Sequence, residues 1–148
     1  MKGVNVSRID KSNPKIGNFR APLNIALNAT SGPTGVTDLD RVLCVALNGS
    51  GRIIKATTAV SVVGIIVAHK NFAVGDPIDV FTSAEVVELG VNDIQGAAAP
   101  TAGTKYYFDA TASRLATTAP VAGAIGFYIG TTVEASRLIV RAAFAGAL

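Results

Sequence analysis

His69 and Cys44 are the only imidazole and the only thiol among 148 residues. Those two side-chain types do most nucleophilic, acid–base and zinc chemistry. His69 follows an apolar run and precedes Lys70 and Asn71, the setting of an exposed turn. Cys44 lies within the run Val42 to Leu47, which reads as a buried strand where a thiolate is disfavoured. A Cys44–His69 dyad is therefore poorly supported, and one thiol makes no intrachain disulfide. One His and one Cys supply no zinc site of the His/Cys kind within one chain. The carboxylates are scattered. Asp76 and Asp79 flank Pro77 and Ile78, and Glu85 and Glu88 stand in the next run. Residues three apart on a strand point to opposite faces. These acids read as solvent-side groups of an exposed hairpin, not as a metal or glycosidase pair. Gly49 and Gly51 lack the third glycine and following helix of a dinucleotide fingerprint, and there is no Gly-Lys-Ser/Thr loop or Gly-x-Ser-x-Gly elbow. The expectation is a protein with no catalytic residue, no metal and no cofactor, and not an enzyme.

The charge distribution points instead to binding. The net charge is +3, but residues 1–20 hold Lys2, Arg8, Lys11, Lys15 and Arg20 against Asp10 alone. The positive excess belongs to one end and the remainder is slightly acidic. Apolar Val4, Val6, Ile9, Ile16 and Phe19 are interleaved with those cations, and the segment shows no helix or strand period of its own. It reads as an extended arm that orders on a partner. With Phe19 as its only aromatic residue, it lacks the stacking platforms of a nucleic-acid site, whereas attraction to an acidic protein surface needs only the charges present. Apolar residues make up 49% of the chain and charged ones 16%, a balance that hides surface in an oligomer or against a partner. The longest uncharged apolar stretch, residues 59–68, is half the roughly 20 residues of a membrane-spanning helix. The N-terminus has no apolar signal region, so synthesis in a cytoplasm is expected.

The elements that must carry this surface are short strands. Residues 19–27 suggest a first strand with Leu23, Ile25 and Leu27 alternating, and residues 28–35 a loop. Residues 41–47 and 52–56 flank a turn at Asn48 to Gly51, where Asn-Gly signals a hairpin. Residues 60–68 read as one continuous strand buried on both faces. A turn at Gly75 to Pro77, a strand over 78–82, a tight turn at Ser83 and Ala84, and a strand over 85–89 follow. Residues 93–103 leave room for one helical turn at most, and 105–109, 114–118, 124–130 and 137–143 complete the strands. The fold class is all-β with minor helix at most, a small β-barrel or β-tulip/sandwich with an extended N-terminal arm. The arm and its loop span residues 1–35 and the barrel-like domain residues 36–148. An offset of 62 lays Arg52 and Ile53 on Arg114 and Leu115, Gly64 on Gly126, and Ile65 to Val67 on Phe127 to Ile129. This is either a duplication or a recurrent habit of β sequences.

The second half carries a resemblance. Gly103 and Thr104 lead into Lys105, Tyr106, Tyr107, Phe108 and Asp109. Arg114 to Thr118, Gly123 to Phe127 and Ser136 to Arg141 follow, with Gly75 to Val80 as an earlier phrase. Together, over about residues 40–143, they resemble a family of bacteriophage capsid decoration (cement) proteins. The resemblance implies a small β domain on the outer surface of the virion, bound to the major capsid protein and stabilising the shell across subunit seams, often as a homotrimer. The capsid-binding element would be the arm, through Lys2, Val4, Val6, Arg8, Ile9, Lys11, Lys15, Ile16, Phe19 and Arg20. Residues 1–35 match no phrase of that family. A nucleic-acid-binding or other soluble β module, or a head-fibre or tail structural protein, are the alternatives.

Overall fold

A computed structural model describes residues 18–29, 40–121 and 126–145. Ten strands run β1 (Phe19–Pro22), β2 (Val42–Leu47), β3 (Ile53–Lys55), β4 (Gly64–Val67), β5 (Pro77–Phe81), β6 (Ser83–Glu88), β7 (Lys105–Asp109), β8 (Arg114–Ala116), β9 (Gly126–Thr132) and β10 (Arg137–Ala145). Two 3₁₀ turns, Ala59–Ser61 and Val91–Asp93, are the only helical segments among the described residues. The fold is all-β, as the sequence pattern predicts.

Two antiparallel five-stranded sheets divide the chain between them, in the orders β1-β5-β4-β2-β3 and β6-β10-β9-β7-β8. Adding five to each label of the first order gives the second. Each sheet curls until its edges approach. Leu23, one residue beyond β1, bridges in parallel to Ile53 of β3 at the opposite edge, and Asn24 N donates to Ile53 O at 2.9 Å. In the second sheet Ile94 bridges in parallel to Leu115 of β8, and Gln95 N donates to Leu115 O at 2.7 Å. The entry to each last strand matches too: Leu23 N donates to Asp76 O, and Leu89 N to Ser136 O. Identical strand order and the same closure show that both sheets follow one half-barrel plan, although register shifts in β9 and β10 have no counterpart in the first sheet.

Alternation along the strands builds two cores. Leu43, Val45, Ile66, Ile78 and Val80 face inward in the first half-barrel, with Leu23, Leu27, Ile53 and Phe72. From the other face of the same sheet, Val42, Cys44, Ala46 and Ile65 join Tyr106, Leu115, Ile129, Leu138 and Val140 of the second half. β2 is therefore buried on both faces, and the first half-barrel's outer wall is the floor on which the second sits.

Four sequence expectations are corrected. The first strand ends at Pro22. Leu23 and Leu27 are buried as expected of the alternation, but they hold only isolated bridges, to Ile53 and Phe72. Phe19–Pro22 pairs with β5, Phe19 with Val80 and Arg20 with Asp79, so the body begins well before residue 36. The run at residues 60–68 is not one strand. Its front is the 3₁₀ turn, with Val60 61% exposed, and pairing starts only at Gly64. A Cβ at Gly64 would lie 2.7 Å from Phe81 O, so only glycine lets β4 approach β5 so closely. Ile65 and Ile66 then bury on opposite faces. Ser83 is the first residue of β6 and not a turn. Thr82 alone links β5 to β6, and the chain changes sheet there without reversing. A two-residue hairpin needs Gly, Asn or Asp for positive φ, and Ser83 and Ala84 supply none.

Candidate docking surface

Most of the polar groups singled out from the sequence have structural work. Cys44 is fully buried in β2, its Sγ 3.8 Å from Arg114 O. Burial first, and the negative charge of Asp109 second, push its thiol far above the ordinary range. The native protein should accordingly resist thiol reagents, and Cys44 should label stoichiometrically only in denaturant. Rapid labelling without denaturant would contradict the burial. His69 is exposed and meets the Phe72 ring edge-on at 5.6 Å, while Lys70 Nζ lies 5.3 Å from the same ring. Asp76 Oδ2 accepts Ala73 N at 2.9 Å, and Glu88 accepts the Ser136 hydroxyl. Because β5 and β6 lie in different sheets, Asp76 and Asp79 do not share a hairpin with Glu85 and Glu88. Among the described residues, no group of three or more His, Cys, Asp or Glu is placed to hold a metal ion.

The most buried carboxylate among the described residues was not legible as a special residue. Asp93, 2% exposed at the end of the second 3₁₀ turn, receives Arg41 Nε on Oδ1 at 3.1 Å and Arg41 Nη2 on Oδ2. Gly90 N also donates to Oδ2, at 2.6 Å, and Arg41 Nη2 donates to Glu88 O, at 2.6 Å. Arg41 precedes β2 and Asp93 follows β6, so this clasp ties one half-barrel to the other. Fifty-two residues separate the partners, and no local pattern links them.

Of the ten residues assigned to the arm, Lys2, Val4, Val6, Arg8, Ile9, Lys11, Lys15 and Ile16 lie outside the described residues. Phe19 and Arg20 belong to β1, on the edge of the first sheet. Arg20 grips Asp79 through Nε at 2.7 Å and Nη2 at 3.1 Å. The Arg20 hydrogen bonds hold the Asp79 carboxyl below the usual range against a smaller opposing effect of burial. The lowered value means this pair supports the fold above the ordinary carboxylate range and ceases to as pH falls through the Asp79 value. Both side chains are more than 40% exposed, so the pair fixes register more than it stabilises.

Asn18, immediately before β1, is bound at the junction of the sheets. Its Oδ1 accepts Thr82 N at 2.7 Å and Ser83 N at 3.3 Å, and its Nδ2 donates to Ser83 O at 3.2 Å. Beside it, a groove of about 280 Å³ is rimmed by Arg20, His69, Lys70 and Asp79 and floored by Phe72 and Phe81. An edge strand beside an open groove is the kind of surface that can take another chain.

No sequence-family model and no curated protein matches this chain. A solved structure of a protein from Mycobacterium phage Patience is similar in fold, with a TM-score of 0.58 and 17% sequence identity, over 90% of this chain and 94% of that one.

Proposed function

We propose that this chain is a structural component of a phage particle, a decoration protein that binds the outer surface of the assembled major capsid shell and stabilises it across subunit seams. The observation that carries the reading is the fold shared over nearly the whole chain with a protein of Mycobacterium phage Patience. The structural employment of Cys44, Asp76, Asp79 and Glu88 supports it, since these candidates for chemistry are occupied in holding the fold. The basic leading segment is the shell-binding element in this proposal. It follows the seam with its cations and buries Val4, Val6, Ile9 and Ile16 against the shell. Many copies, each of modest affinity, raise the stability of the whole shell by mass action.

Mass spectrometry of washed particles made by the genome that encodes the chain tests the reading. The chain is expected in stoichiometric amount, and its absence from intact particles would sink the proposal. The arm is tested separately. A chain starting at Asn18 keeps the root contacts to Thr82 and Ser83, so it is expected to melt like the full chain and to co-sediment with undecorated shells at least tenfold less. Normal decoration by that truncated chain would move the binding role from the arm to the body.

A further inference from the structure

Asn48 and Gly49 open the turn between β2 and β3, and the pair carries a reactivity that the fold does not consume. Asn48 is held at three atoms. Its N donates to Arg52 O at 2.9 Å, and its O accepts Gly51 N at 3.0 Å. Its Oδ1 accepts Ser50 N at 2.9 Å and Arg52 N at 3.0 Å. The two donors on Oδ1 draw electron density from the carboxamide carbon, Cγ. They stand where negative charge collects when that carbon is attacked. Among the described residues, Asn48 Nδ2 makes no hydrogen bond, and neither does the Gly49 N–H.

The turn does not need glycine at position 49. Gly51, with φ of 74°, holds the left-handed position, and Gly49 has no positive φ. Gly49 is exposed, and a Cβ built on it would meet nothing within 4 Å. The effect of the missing side chain is to leave the Gly49 nitrogen uncrowded, directly after an asparagine. No other asparagine of the chain precedes a glycine.

We propose that Asn48 is a site of spontaneous deamidation in the folded protein, with water as the only co-reactant. The Gly49 nitrogen gives up its proton to solvent and attacks Asn48 Cγ. A Cγ–N bond forms and the Cγ–Nδ2 bond breaks. Nδ2 takes a proton from solvent and leaves as ammonia, closing a cyclic imide. Water then opens one of the two imide carbonyls. Cleavage of the new bond leaves aspartate at position 48. Cleavage of the original main-chain bond leaves isoaspartate, with the chain rerouted through Cβ and Cγ. The aspartate form keeps its connectivity and accepts Ser50 N and Arg52 N with a full charge. The isoaspartate form lengthens the main chain by one atom beside Leu47–Ile53, the last pair of β2 and β3. Ile53 also closes the first half-barrel, through its bridge to Leu23 and its bond from Asn24 N. Isoaspartate therefore loosens the seam of that half-barrel. The inference holds whether or not the chain decorates a shell.

Full-length protein held in mildly alkaline buffer, then digested for mass spectrometry, tests it. The fragment containing Asn48 is expected to gain about one dalton before any other asparagine converts. Its rate is expected to lie within about tenfold of that of a free peptide of residues 46–52, because the turn presents the carboxamide to its attacker and does not shield it. Gly49→Ala is expected to melt like wild type yet convert at least roughly tenfold more slowly, since the added methyl crowds the attacking nitrogen. The isoaspartate fraction, separated by chromatography, is expected to melt below the aspartate fraction. Another asparagine converting first would overturn the proposal. So would Gly49→Ala converting as fast as the unaltered chain, or a folded protein far slower than the peptide. Two fractions of equal stability would overturn the loosening of the seam.

Discussion

Replacing Asp93 by alanine is expected to destabilise the protein by about 3 kcal/mol, because it strands a partly buried cation and removes an acceptor in one step. The Asp93 side chain is 3% exposed and that of Arg41 31%. The guanidinium cannot fully rehydrate where it stands, and Gly90 N loses the oxygen that ends β6 cleanly. For a chain of this length such a loss lowers Tm by about 10 °C. Asp93→Asn retains an oxygen for Gly90 N but not the charge, and belongs between wild type and alanine. Arg41→Met with Asp93→Leu removes both charges, and is expected to recover part of the loss, since the penalty lies mainly in the unpaired group. Urea unfolding of the three variants measures this directly. If Asp93→Ala unfolded at the wild-type midpoint, the clasp would be ornamental, and the halves would be held by their shared apolar core alone.

The strands were legible where local chemistry dictates them. Asn48 accepts Ser50 N and Arg52 N on its side chain, and Gly51 takes the left-handed position, so that hairpin announces itself within five residues. Cys44 was legible as a core residue because its neighbours on both sides are apolar. The clasp was not, because an ion pair across two sheets has no sequence period. The switch at Thr82 was missed for a related reason: a chain that crosses between sheets without turning looks, residue by residue, like one that turns at Ser83. The repeat was only faintly legible because the two copies occupy different environments. Val42 to Ala46 of β2 are buried on both faces, whereas Tyr107 of the equivalent strand β7 is only partly buried, so equivalent strands carry unlike side chains. Backbone pairing keeps the relationship that the side chains have lost.

That backbone relationship is most exposed to a single atom at Gly130. The residue sits opposite both Tyr106 of β7 and Val140 of β10, and the register shifts on each side of it. A Cβ there would stand far inside van der Waals contact of the Ile139 carbonyl oxygen, 3.0 Å from the Ile139 carbonyl carbon and 3.1 Å from Leu138 Cδ1. The obstacle is main chain of the neighbouring strand, so no rotamer change relieves it. β10 must move away from β9, and ladder hydrogen bonds lengthen at the centre of the second sheet. Overpacking of this kind typically costs 1–3 kcal/mol even against movable side chains. With backbone as the obstacle and pairing lost as well, Gly130→Ala is expected to cost about 4 kcal/mol or to leave the second half-barrel unfolded. Gly49→Ala, at a loop position where a Cβ meets nothing within 4 Å, is expected to stay within about 0.5 kcal/mol of wild type. Equilibrium unfolding of the two variants separates glycine required by close approach from glycine tolerated in a loop. A Gly130→Ala protein as stable as Gly49→Ala would mean that β9 and β10 are not in this register.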